Sequence, residues 1–177
     1  MKPETFNRDT QILDSLRRIP RKILQLHNHD NIAHFVLHDL CSKNCFDIPK
    51  AAYFIDNPAF NCFKGIAGIC QKETAGIDNV LDNPHEYNDT IIKSPFNQKV
   101  REFNYESRKK RGHSHEKMAE IIAKNFDMQD YGFYFWDLKH DNHGLLVCEK
   151  NNLNPLEHPH NEIVLDGLCL LGFCHIY

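Results

Sequence analysis

The chain has 177 residues, 41% hydrophobic and 11% aromatic with twelve Phe, enough for one sizeable core and most simply one domain spanning 1–177. A charged fraction of 25% and a formal net charge of −3 leave the molecule as a whole without an electrostatic case for nucleic acid or an anionic membrane. Residues 1–11 hold no apolar run of signal-peptide type, the apolar segment 168–173 is too short to span a bilayer, and seven cysteines are an odd number on a scaffold that is not cysteine-dense. The expectation is a cytoplasmic protein with free thiols and no membrane partner.

Ile12, Leu16, Ile19 and Ile23 recur at helical spacing, so Asp9 to Leu26 reads as helix, with Pro20 starting a second piece or kinking the first. A second helix is predicted from a cap at Asp30 or Asn31 to about Lys43, with Ile32, Ala33, Val36, Leu37 and Leu40 as its apolar stripe. Ala51 to Ile55 reads as a strand ended by the turn residues Asp56-Asn57-Pro58. Phe60, Phe63, Ile66 and Cys70 have helical spacing, against Gly65 and Gly68.

From about 74 to 104 the pattern dissolves into Asn, Asp, Pro and Lys and reads as a long irregular connection. Ser114 caps a helix to Phe126 with Met118, Ile121, Ile122 and Phe126 as its buried face. Tyr131–Leu138 and Gly144–Glu149 read as strands, the second apolar on both faces and therefore central. Ile163–Leu165 and Leu168–Ile176 flank Asp166-Gly167, the signal of a further hairpin. The predicted class is α+β, with N-terminal helices packed on a C-terminal antiparallel sheet.

Ten of the twelve histidines fall in local pairs: 27/29, 113/115 and 158/160 as H-x-H, 34/38 four apart, 140/143 three apart. Neutral imidazole is the commonest protein metal ligand, and paired spacing lets one short segment supply two ligands. His34 and His38 project together, away from the apolar stripe, and His27 and His29 lie within a turn or two. The leading expectation is accordingly a histidine-rich metal-binding protein, in enzymatic form a metal-dependent hydrolase, with Zn or Fe held by His27, His29, His34 and His38. Asp30 and Asp39 stand by as oxygen ligands or orienting partners. Position 35 is Phe, so the H-E-x-x-H motif of a zincin is not met. Solvated helix residues are the competing reading of the same four histidines. His113, Glu116 and Glu120 share a helix face as a lesser metal candidate, with first-turn dipole complementation as the alternative.

A second chemistry comes from Cys62, placed near the start of the helix expected over 60–70, where the dipole favours thiolate, and from His143 at the mouth of a strand. Cysteine at a helix start followed by histidine opening an antiparallel strand resembles the layout of papain-like thiol hydrolases. The resemblance covers those two short stretches and implies a thiol hydrolase or acyltransferase with Cys62 as nucleophile, His143 as base and Asn161 or Asp166 as the orienting group, acting on a peptide or small-molecule substrate. A buried Cys62 and a turn histidine at 143 are the alternative. Finally, Lys99 to Lys117 is rich in Lys and Arg and carries Phe103 and Tyr105, the pattern of a phosphate-binding strip or of a solvated lead into a helix, so a non-enzymatic interaction module or nucleic-acid binder stays as a third reading.

Overall fold

The computed structural model describes residues 3–26, 29, 32–76, 80, 83–150 and 161–174, with the backbone alone for residues 3–7 and 161. Among them the chain forms seven helices and a five-stranded antiparallel sheet, an α+β protein with most of its helices toward the N-terminus. The strands are β1 (Lys50–Asn57), β2 (Cys62–Cys70), β3 (Asn104–Tyr105), β4 (Tyr131–Asp137) and β5 (His143–Glu149), in the order β3-β2-β1-β5-β4. The helices are α1 (Pro3–Gln25), α2 (Ile32–Cys41), α3 (Pro84–Lys93), α4 (Pro95–Glu102), α5 (Arg108–Arg111), α6 (His115–Asn125) and α7 (Asn161–Cys169). No described helix is long and apolar enough to cross a membrane.

The sheet is covered on both faces because its central strands are apolar on both. On one side Tyr53, Ile55, Leu146 and Cys148 pack with residues of α1, α2, α3 and α7; on the other Ala52, Phe54, Leu145 and Val147 pack with α4 and α6. The alternation read from 144–149 is thus realised: β5 lies between β1 and β4, and its odd and even residues enter different cores. Trp136 is buried as expected and stacks on Tyr53 at 5.6 Å between ring centres.

Four expectations are corrected. α1 is one helix running through Pro20 rather than two pieces. Residues 62–70 are a strand, because β1 supplies an antiparallel partner from Lys50↔Cys70 to Asn57↔Cys62, interrupted by one bulge at Ile66, and Gly65 and Gly68 let the helix α4 lie close across it. A Cβ on Gly68 would stand 3.1 Å from the Phe96 ring and closer still to Val100. The region 74–104 holds α3 and α4, each opened by a polar cap directly before proline: Asn83 accepts from the Glu86 N–H, and Ser94 from the Asn97 N–H. The expected hairpin over 163–176 is α7 followed by a 3-10 turn at Leu170–Phe173, with Val164, Leu168 and Leu171 buried at helical spacing. Residues 175 and 176 of that expectation lie outside the described residues.

Candidate active site

One end of the sheet carries a buried carboxylate. β1 leaves its apolar run at Asp56, two residues beyond Phe54 and on the same face, so a carboxylate enters a row otherwise filled by core side chains. Asn57 then accepts a hydrogen bond from the Phe60 N–H at 3.2 Å and closes a 3-10 turn at Pro58–Phe60, after which Asn61 takes left-handed backbone and the chain returns as β2. On the far side residues 138–142 join β4 to β5, with Leu138 N–H donating to the Asn142 carbonyl at 2.8 Å and His140 and Asp141 both at positive φ (60° and 55°). That turn sets the register in which Asp137 faces His143.

Register then assembles a row across all five strands. Tyr105 stands opposite Phe63, Phe63 opposite Asp56, Asp56 opposite His143, and His143 opposite Asp137. Directly opposed residues share a face, so His143 stands between two carboxylates. One of them holds it: His143 Nδ1 lies 3.0 Å from Asp137 Oδ1, which leaves Nε2 as the working end of the ring.

The roof of this end comes from the segment after β3. Arg108, first residue of α5, reaches inward: its Nε is 3.8 Å from Asp56 Oδ2, one terminal nitrogen donates to the His113 carbonyl at 3.1 Å, and the guanidinium lies over the Phe135 ring at 5.6 Å. His115 opens α6, whose Ser114 cap accepts from the Lys117 N–H, and its ring stacks on Phe135 with centres 3.4 Å apart. His143 stacks on the same Phe135 at 5.2 Å. Burial and the Arg108 charge hold the His115 imidazole below its ordinary pKa, with His143 adding to the effect and Glu116 and Asp137 opposing it, so the ring is neutral at neutral pH.

Most buried side-chain polar atoms without a hydrogen bond among the described residues belong to this one end. They include both oxygens of Asp56, Ser107 Oγ, Arg108 Nε, His113 Nδ1 and His115 Nε2. Asp56 is only 2% exposed and Ser107 fully buried. An unmade hydrogen bond at a buried polar atom costs about 1–3 kcal/mol, so such a concentration singles out this end as the candidate site. Two imidazoles, a fixed cation and a buried carboxylate are together the parts needed to move protons while stabilising developing negative charge.

The residues singled out from sequence are not assembled in this way, except His143. His34 is a core residue, 2% exposed, because α2 is enclosed by the sheet on one side and by α3 and α4 on others; residues 32–37 have no solvent face. Its Nε2 lies 2.9 Å from Asn97 Oδ1, an oxygen that also accepts the Gly68 N–H, so Nε2 carries the proton and is not a metal-donor lone pair. His38 faces Tyr87 edge-on at 5.0 Å and borders an open groove of about 630 Å³ with Gln71 and Thr74. Asp39 is held by Lys22 at 2.7 Å. His29 lies 5.2 Å ring to ring from His85, and His27 is outside the described residues. No group of three or more His, Cys, Asp or Glu side chains among the described residues is arranged to hold a metal ion.

Cys62 opens a strand instead of a helix, so the dipole argument for its thiolate lapses. Its Sγ contacts Asn104 Oδ1 at 3.5 Å, on the face of β2 opposite to Phe63. Because Phe63, Asp56 and His143 share the other face, Cys62 and His143 leave the sheet on opposite sides and do not meet. Asn161 begins α7, its side chain outside the described residues, and Asp166 is exposed on the same helix. What sequence reasoning passed over was Asp56, read as a turn residue although it continues the Phe54 face, and Arg108, read as one charge in a basic run.

No family model matches the chain, and no curated protein and no solved structure is detectably similar to it.

Proposed function

We propose that the chain is an enzyme that cleaves a phosphate ester by general acid–base catalysis. His143 and His115 move the protons, and Arg108 binds the charge on the phosphoryl oxygens. The observation that carries this reading is the buried, hydrogen-bond-free Asp56 carboxylate lying in one row with His143 and Asp137 beneath Arg108 and His115. Guanidinium offers a planar fork of donors that matches phosphate oxygens, which favours a phosphate over a carboxylate ester. Asp137 and Asp56 act as positioning residues: one orients the His143 ring, the other holds the Arg108 guanidinium over the row.

Metal-dependent chemistry at His27, His29, His34 and His38 draws less support, since His34 is committed to Asn97. A thiol mechanism at Cys62 lacks its base, since His143 faces the other side of the sheet.

The test is a panel of para-nitrophenyl esters: a phosphomonoester, a simple phosphodiester, a nucleoside phosphodiester that retains the ribose hydroxyl, and acetate. The expected result is turnover of at least one phosphate ester that falls by about 10²–10⁴ in His143→Ala and in His115→Gln, each still folded by circular dichroism. Parent protein inert toward every phosphate ester, or variants as fast as the parent, would overturn the reading.

A further inference from the structure

We infer that the substrate of this site is a single strand of RNA, bound along the α5 face and cut at a phosphodiester by its own 2′-hydroxyl; the inference rests on the acid–base centre proposed above.

Charge, an exposed aromatic ring and chemistry converge on it. Four consecutive cations, Arg108 to Arg111, make up α5 in a chain whose formal net charge is −3, so positive charge is concentrated beside the site. The structure divides that charge by role. Arg108 turns inward over Asp56, Lys109 and Lys110 are exposed on the same short helix, and Arg111 lies over the Tyr105 ring at 4.1 Å with a 2.8 Å hydrogen bond to its hydroxyl. Phosphates arriving at Arg108 therefore meet further cations on the same helix.

Next to them stands Phe60, 80% exposed, on the 3-10 turn against which α5 packs and four residues beyond Asp56. A large aromatic ring held in solvent beside a cationic strip is the arrangement on which an unpaired base stacks, and duplexes do not offer such a face. Glu106 pairs with Arg111, which trims the charge at that edge without touching Lys109 and Lys110.

The two imidazoles suit this ester in particular. His115 takes the proton of the 2′-hydroxyl, the oxygen attacks phosphorus, and the bond from phosphorus to the 5′-oxygen breaks. His143, carrying a proton on Nε2 and facing Asp137 and Asp56, delivers that proton to the leaving oxygen. The products are a 2′,3′-cyclic phosphate and a free 5′-hydroxyl, so atoms and protons balance without a further reactant. Arg108 holds the non-bridging oxygens as charge builds on them.

The full chain is to be incubated with an end-labelled single-stranded RNA oligonucleotide, the all-deoxy strand of the same sequence, and a ribonucleoside 3′-(para-nitrophenyl phosphate) as the small substrate. The expected result is RNA fragments ending in a cyclic phosphate and an intact deoxy strand. Lys109→Glu combined with Lys110→Glu should lower kcat/KM on RNA by about tenfold or more, and Phe60→Ala by several-fold, with turnover of the small substrate unchanged in both. Small-substrate turnover without RNA cleavage, or RNA cleavage indifferent to all three substitutions, overturns the RNA inference and leaves the acid–base centre standing. A deoxy strand cut as fast as RNA overturns the 2′-hydroxyl step. Failure on every ester as well as on RNA brings down the acid–base reading and this inference with it.

Discussion

His34 and Asn97 form the buried polar joint between α2 and α4. Asn97, fully buried, receives His34 Nε2–H and the Gly68 N–H on one oxygen, each at 2.9 Å, and donates its amide to the Ile91 carbonyl at 2.9 Å. One side chain thus ties together two helices, the end of α3 and the second strand. Replacing Asn97 with Leu keeps the branched outline of the side chain and removes the partner of the Gly68 N–H and of His34 Nε2 together. A loss of roughly 2–4 kcal/mol is expected, read as a lower urea midpoint at unchanged slope. A midpoint within error of the parent would show that the joint contributes nothing.

Asp56 carries a different balance. Its carboxylate is buried with a 3.8 Å ion pair to Arg108 and no hydrogen bond among the described residues, an arrangement that costs stability. Asp56→Asn removes the buried charge and retains the shape. The expected outcome is a gain of about 1 kcal/mol together with a large fall in kcat. A variant that is both less stable and equally active would contradict the positioning role.

The depressed His115 pKa has a direct consequence for stability. Burial first, and Arg108 second, disfavour the imidazolium in the folded state, so the unfolded chain binds the proton more readily. This contribution is complete above the ordinary imidazole value near pH 6.5 and is lost as pH falls through the lower folded value. His115→Gln should therefore flatten the acid side of the stability curve relative to the parent. Urea midpoints at about pH 7.5 and pH 5 for the two proteins measure the difference; parallel curves would refute it.

Thiol chemistry separates the readings cleanly. Burial pushes Cys45, Cys148 and Cys174 up to about 12 and raises Cys41 well above its ordinary range, whereas Cys62 is half-buried and Cys169 exposed. A neutral-pH thiol reagent should modify at most Cys62 and Cys169 in the native chain and all seven cysteines after denaturation. Cys62→Ser should keep full phosphate-ester turnover. Loss of activity in that variant would return Cys62 to the centre of the mechanism.

Gly144 lies under the only tryptophan of the chain, and a Cβ there would reach the Trp136 indole nitrogen at 2.8 Å and its ring carbons closer still. Trp136 has no room to retreat, being stacked on buried Tyr53. Gly144→Ala should destabilise by about 1–3 kcal/mol and shift the tryptophan emission of the native state. An unchanged spectrum and midpoint would mean the indole relaxes freely.

Much of the fold was written locally. The two-sided apolar run at 144–149 could only be a central strand, and Ser114 before an apolar 3.6 period could only open a helix. The caps of α3 and α4 were equally local: Asn83-Pro84 and Ser94-Pro95 are start signals, overlooked because the residues after them are polar. Where two periods competed, long-range pairing or burial decided. Residues 62–70 became a strand because β1 was there to pair with them, and Val164, Leu168 and Leu171 made a helix of a segment whose Asp166-Gly167 suggested a turn.

The candidate site was assembled by tertiary structure. Composition by itself showed that histidine is abundant, and spacing showed which pairs are local. Neither can say that His143, Arg108 and His115, drawn from three segments, gather on one phenylalanine ring with Asp56 beside them. That depends on strand register, which places Asp56 opposite His143, and on the path after β3, which folds Arg108 back over them. The same physics removed His34 from the surface, because a helix covered on several sides has no polar face for its period to mark.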